Sequence, residues 1–294
     1  MLQAGESTVP AADTGELNDL VPEIGVTSTP VIDLSTGTIY VCAKAKDAAA
    51  NYHHRLYALS LTDGSLKFGS PVEITAPNFV PLFHLQRPAL LLDSGTLYIA
   101  FGSHGDQNIY QGWLFAYDAG TLAQKFALAM TDPTAAGPGG HGNQGSIWQS
   151  GNGPAVDASG NIYVETANGV FNPVTGNYSD SVVKISPAGS VSDYFTPSNQ
   201  ATLNANDVDL GSSGVVILPD ALGTAAHPHL MIATGKTGIL YRWIKTLSDN
   251  SISEPIRTCR KSPSKSTQRK SLAVSLASLP FGMATCTLLR SVIP

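Results

Sequence analysis

Residues 145–169 read GSIWQSGNGPAVDASGNIYVETANG, and the phrase at their centre, P-A-V-D-A-S-G-N-I-Y-V from Pro154, has two earlier versions in the chain. Pro30 opens P-V-I-D-L-S-T-G-T-I-Y-V, and Pro88 opens P-A-L-L-L-D-S-G-T-L-Y-I. Each version runs from Pro through apolar residues to an Asp and turns at Gly37, Gly95 or Gly160. It then enters a strand at Thr38–Val41, Thr96–Ile99 or Asn161–Val164. These turns have hairpin chemistry, because an Asp side chain bonds its own backbone and Gly takes a positive φ without a Cβ clash. A second β-rich pair follows each phrase: RLYALS-LTDGS-LKFGS over 55–70, WLFAYD-AGT-LAQKFAL over 113–128 and DSVVKIS-PAGS-VSDYF over 180–195. The unit is therefore strand–turn–strand–loop–strand–turn–strand.

A fourth unit runs through GSSGVVILPD (211–220), HPHLMIATG (227–235) and GILYRW (238–243), and its second hairpin does not finish. The matching tyrosines Tyr40, Tyr98 and Tyr163 are 58 and 65 residues apart, so the insertions fall in the mid-unit loops. One four-stranded sheet cannot bury both its faces, but copies stacked about an axis can. The pattern predicts an all-β chain, a β-propeller of four-stranded antiparallel blades. After a lead-in over 1–24, about four blades are expected at 25–74, 83–130, 146–197 and 206–243, an incomplete set. A parallel β-helix has shorter coils without hairpin turns, and an ordinary sandwich predicts no recurring phrase. A propeller with blades missing predicts exposed apolar sheet faces and self-association.

Charge is unevenly spread. Residues 1–241 carry 8 Lys and Arg against 20 Asp and Glu, whereas residues 242–294 carry 9 against 2. The acidic body argues against nucleic-acid binding. The three cysteines make no disulfide framework, and Cys42 lies in an apolar strand pattern. The N-terminus lacks a basic and then apolar leader, which predicts a cytoplasmic location for the chain as it stands. From Ile244 the text turns basic and Ser-rich, and 257–271 reads as disordered. Residues 244–294 can be a basic tail, a poor membrane anchor over 271–289, or sequence foreign to the domain, as after a slipped reading frame. The last reading is preferred, since the break falls inside a blade. No stretch makes a good membrane span.

The pairs TIYVCAK…RLYALSLTDGSLKF and TLYIAFG…WLFAYDAGTLAQKF resemble the repeats of pyrroloquinoline-quinone-type (PQQ-like) propellers. Blades of that family end in a docking pattern A-x-D-x-x-x-G-x-x-x-W. The first unit has Ala58, Ser60, Gly64 and Phe68 at those places, and the second has Ala116 and Asp118 with an early Gly120. A wider likeness, over NDLVPEIGVTSTPVID, GSIWQSGNGPAVD, DYFTPSNQ, DLGSSG and HPHLMIATGKTGILY, is to a group of bacterial exported quinoprotein-like propellers without an assigned activity. The resemblance implies a truncated segment of a longer periplasmic or extracellular parent, since more blades flank this region in that group. It also implies that any cofactor would be PQQ with Ca²⁺ on oxygen ligands.

Glu165, Asn168 and Asp180 could supply such oxygens, although Asn168-Gly169 also reads as a turn and Asp180 as a strand opening. Trp148 could stack on a flat ligand or seal the seam between blades, and the seam is preferred. The vicinal Cys-Cys pair usual in the family's enzymes is absent. His227 and His229 share one strand face and could hold a metal, with His104 and Asp106 joining them if the loops gather at one end. Solvated or turn-capping histidines are the simpler reading. The expectation is therefore a propeller scaffold that binds an unidentified ligand or partner through loops at one end, without catalysis or a cofactor of its own. The alternative is a PQQ- and calcium-dependent alcohol or sugar dehydrogenase.

Overall fold

A computed structural model describes residues 2–15, 20–225 and 229–244. All of them fall within one compact unit. The segment 245–294 and His227 lie outside the described residues.

Four antiparallel sheets follow one another along the chain. The first orders Val31–Asp33, Thr38–Lys46, Tyr52–Ser60 and Val72–Glu73, and the second Leu91–Asp93, Thr96–Ser103, Trp113–Asp118 and Gln124–Ala129. The third orders Ala155–Val156, Ile162–Glu165, Val182–Ile185 and Val191–Phe195, and the fourth pairs Val216–Ile217, Leu230–Thr234 and Leu240–Ile244. Each strand neighbours the next in sequence, the meander of a propeller blade. Neighbouring first strands lie against each other, Val31–Asp33 with Leu91–Asp93 and Ala155–Val156 with Val216–Ile217. They form the inner edge, and the fourth strands lie at the rim.

Side chains alternate along each strand, so each sheet offers two faces. Tyr40 and Cys42 on the first sheet pack with Leu97, Ile99 and Phe101 on the second. The other face of the second sheet, Tyr98 and Ala100, packs with Ile162 and Val164 on the third. The other face of the third, Tyr163, packs with Met231 and Ala233 on the fourth. The three tyrosines are equivalent: each pairs with a first-strand residue, Val31, Leu91 or Ala155, and each turns toward the following sheet. The repeat shows in polar contacts too. Lys67 Nζ donates to Thr38 Oγ1 at 2.6 Å and Lys125 Nζ to Thr96 Oγ1 at 2.7 Å. The turn aspartates behave as their spacing predicts, with Asp33 accepting from Ser35 N and Asp157 from Ser159 N, both at 2.9 Å.

Three features were not legible in the repeat. His84–Leu85 adds a short strand to the end of Thr96–Ser103. A small hairpin, Phe171–Asn172 with Asn177–Tyr178, is inserted between the second and third strands of the third sheet. A short helix, Gln200–Ala205, precedes the fourth sheet. The lead-in is also more than a leader. Val9–Pro10 pairs with Glu23–Ile24, Ser7 bridges to Lys46, and Glu6 forms an ion pair with Arg55. Arg55 shares the outward face of the first sheet with Tyr57, and Val41, Ala43 and Tyr57 there are all buried. No helix among the described residues is long and apolar enough to cross a membrane.

Candidate functional site

Antiparallel order puts the tight turns at one end of every sheet. The loops between second and third strands, and the segments leading into each first strand, emerge at the other. This loop end is held by a collar of hydrogen bonds between successive entry segments. Thr27 Oγ1 donates to Gln86 O at 2.6 Å, Leu90 N to Thr29 O at 3.1 Å and Ala89 N to Gly151 O at 3.3 Å. Ser150 Oγ donates to Ser212 O at 2.6 Å and Asn152 Nδ2 to Ser213 O at 3.0 Å. Glycine suits position 151, because its φ of +91 is a backbone conformation that L side chains rarely adopt.

Glu165, Asn168 and Asp180 lie at this end, at the junction of the third and fourth sheets. Glu165 is fully buried; Gly214 N and Ser213 Oγ donate to its Oε2, while Oε1 has no partner. Burial pushes its carboxyl up to about 8. Asn168 N donates to Asp209 Oδ1 at 3.1 Å and its Nδ2 to Asp207 Oδ1 at 2.8 Å. Asp180 accepts from Leu210 N and from Gln200 Nε2, both at 3.2 Å, and burial pushes it up to about 7. Burial also raises Asp209, although Lys236 Nζ sits 2.7 Å from its Oδ2. The three residues thus reach different points of one connection, 200–214.

A calcium ion asks for six or more oxygens converging on one point, several of them anionic. Here both oxygens of Asp180 are engaged, Asn168 anchors two other aspartates, and Glu165 is held as the neutral acid at pH 7. Among the described residues no three His, Cys, Asp or Glu side chains stand close enough to hold a metal. Two oxygens here, Glu165 Oε1 and Asn168 Oδ1, have no hydrogen-bond partner, so the residues as they stand offer a calcium ion only part of the set it needs. Trp148 is half-buried and packs over Gly102, where a Cβ would lie 3.3 Å from the Trp148 Cβ, so it lies against the end of the second sheet.

The two described histidines of that expected group, His229 and His104, lie at opposite ends of the sheets. His229 is at the turn end, with Nδ1 2.8 Å from Asp220 Oδ1. His104 is buried at the loop end between the first and second sheets, its Nε2 2.7 Å from Lys44 Nζ. Asp106 accepts from Ser103 Oγ at 2.7 Å.

A polar cluster around that lysine escaped the sequence reading. Lys44 is 2 % exposed and donates to Leu82 O at 2.7 Å and to His84 O at 3.3 Å. His54 Nε2 donates to the same His84 carbonyl at 2.9 Å, and His84 Nδ1 to Val80 O at 2.8 Å. Burial lowers His84 to about 4 and His104 to about 3, and it holds Lys44 at about 7. The signal was present: Lys44 follows Tyr40 and Cys42 on the core-facing positions of its strand. Because the folded amine titrates near 7 and the free one at 10.5, the unfolded chain binds more protons between those values, and this group makes stability rise with pH there. Between pH 7.5 and 9.5 the Lys44→Met variant is expected to lose about 2 kcal/mol of the rise shown by the parent. Urea titrations of both proteins at the two pH values measure it, and equal slopes would refute the buried-amine account.

No family model matches the sequence, and no curated protein is similar to it. Solved structures do match. A europium-containing methanol dehydrogenase is 14% identical with a TM-score of 0.57, over 79% of this chain and 42% of its own. A quinohemoprotein alcohol dehydrogenase from Pseudomonas putida HK5 is 16% identical with a TM-score of 0.52, over 82% of this chain and 43% of its own. The chain therefore spans about two-fifths of the length of these structures. At such identities the likeness is one of fold: the chain has the β-propeller architecture of quinoprotein dehydrogenases.

Proposed function

We propose that this chain is a binding propeller of the PQQ-like type, which presents the loops at one end of its sheets to a ligand or partner and performs no catalysis of its own. One observation supports this reading above the others. The carboxylates at the loop end that could have served chemistry are tied to the 200–214 connection, where they join the third sheet to the fourth. Function resides in sites and not in folds. A quinoprotein-type alcohol or sugar dehydrogenase using PQQ and calcium is the second reading. It draws on the two fold likenesses and on the unpartnered Glu165 Oε1 and Asn168 Oδ1.

Adding PQQ and Ca²⁺ to the purified chain separates the two. The expected result is no retained quinone absorbance after desalting and no dye-linked oxidation of methanol, ethanol or glucose. A stoichiometric bound chromophore with alcohol-dependent dye reduction would reverse the assignment.

A further inference from the structure

A groove of about 400 Å³ opens at the loop end of the third sheet, on the outer rim and away from the inner edge. Its size is at the lower end of small-molecule sites, roughly 300–1,000 Å³. Phe171, on the inserted hairpin, and Tyr194, on the outermost strand, form two adjoining sides of it. Thr196, Pro197, Ser198 and Gln200 complete the lining. The Phe171 and Tyr194 rings meet with centroids 5.9 Å apart at 61°, and Tyr178 backs Tyr194 at 5.2 Å.

The groove is preformed. Gln200 Nε2 donates to Gly169 O at 3.1 Å and to Asp180 Oδ2 at 3.2 Å. Gly169 N donates to Asn204 Oδ1 at 2.8 Å, and the Thr196 and Ser181 hydroxyls share a bond of 2.6 Å. A ligand meets walls already held in place, which reduces the ordering cost of binding.

The chemistry of the lining selects a ligand class. It contains no Asp, Glu, Lys, Arg or His, so nothing there compensates a charged ligand for lost hydration. It combines aromatic surface with the Tyr194 and Ser198 hydroxyls, which can donate or accept, and the Gln200 amide oxygen, which can accept. A pyranose matches both, having a flat face of C–H groups and a rim of hydroxyls. An extended proline-rich peptide is the other chemistry that aromatic grooves take, but it lies across ridges in series. Two rings meeting at 61° instead make a corner that cups one compact ring.

We propose that this rim groove binds the ring of a neutral sugar. The proposal rests on the binding role put forward above and assigns it a ligand class and a place. Methyl α-glucopyranoside, methyl β-galactopyranoside, N-acetylglucosamine and maltose serve as probes, read by saturation transfer from protein to sugar and by amide shifts over 194–201. At least one is expected to bind with a Kd on the order of 1 mM. Tyr194→Ala should weaken that binding about tenfold or more. Ala201 is exposed and lines the groove, so Ala201→Trp should block the signal without disturbing the core.

Absence of transfer to all four sugars, or unchanged transfer in Ala201→Trp, would overturn the proposal. So would a polyproline peptide shifting these amides where the sugars do not. Failure here with a negative quinone assay leaves the binding role in place with a different ligand. A positive quinone assay removes the broader reading whatever the sugars do.

Discussion

Phe79→Ala lowers the stability of the propeller by about 3–5 kcal/mol, as truncation of a buried aromatic does when its site cannot collapse. Phe79 is not on a strand of either sheet it joins. It comes from the loop between Val72–Glu73 and His84–Leu85, and its ring enters the seam between the first and second sheets. There it has His84 at 4.6 Å, Phe101 at 5.0 Å, Phe115 at 5.1 Å and Trp113 at 5.9 Å between ring centroids. These four belong to the second sheet, and His54 on the first lies 6.0 Å away, so the ring sits between two sheets that are each held by their own strand pairing and cannot readily close on the space left behind. Urea denaturation measures the loss, and Trp113, stacked on Phe115 at 5.7 Å, gives a local fluorescence signal. A loss below about 1 kcal/mol would mean that the strands alone hold the two sheets together.

Glu165→Gln is expected to act in the opposite direction. The unfolded carboxyl titrates at 4.5 and the folded one at about 8. Between those values the folded chain binds more protons than the unfolded one, so the parent loses stability as pH rises from 4.5 to 8. Glutamine has no charge to lose. Its Oε1 can accept from Gly214 N and Ser213 Oγ as the carboxyl does, and its amide replaces the oxygen that has no partner. The variant should exceed the parent by about 3 kcal/mol at pH 7, and the gap should close toward pH 4.5. Thermal or urea denaturation across this range reads the difference. A variant less stable than the parent at pH 7 would show that the carboxylate makes an interaction the fold depends on. A stabilised variant would mark Glu165 as a group kept at a cost in stability, which is how functional residues commonly behave.

The strands, their tight turns and the equivalence of the three tyrosines were legible because they depend on neighbours in sequence. Alternating apolar residues and an Asp-to-Gly turn declare a hairpin within a dozen positions. The segment 75–82 fell between two expected units, yet it carries Phe79. The inserted hairpin over 171–178 left no trace in the repeat, and it supplies a wall of the sugar groove.

What the chain by itself determined is the blade: its strand order, its turn residues and which face of each strand is apolar. Only the tertiary structure decided what the polar residues became. Glu165 is neutral at pH 7 because the fold shuts water away from it, against the opposing hydrogen bonds that Ser213 and Gly214, nearly fifty positions later, donate to it. Lys44 is buried because the loop carrying Leu82 and His84 folds across it. Desolvation is set by every atom around a group, whatever its distance along the chain, so no local pattern can report it.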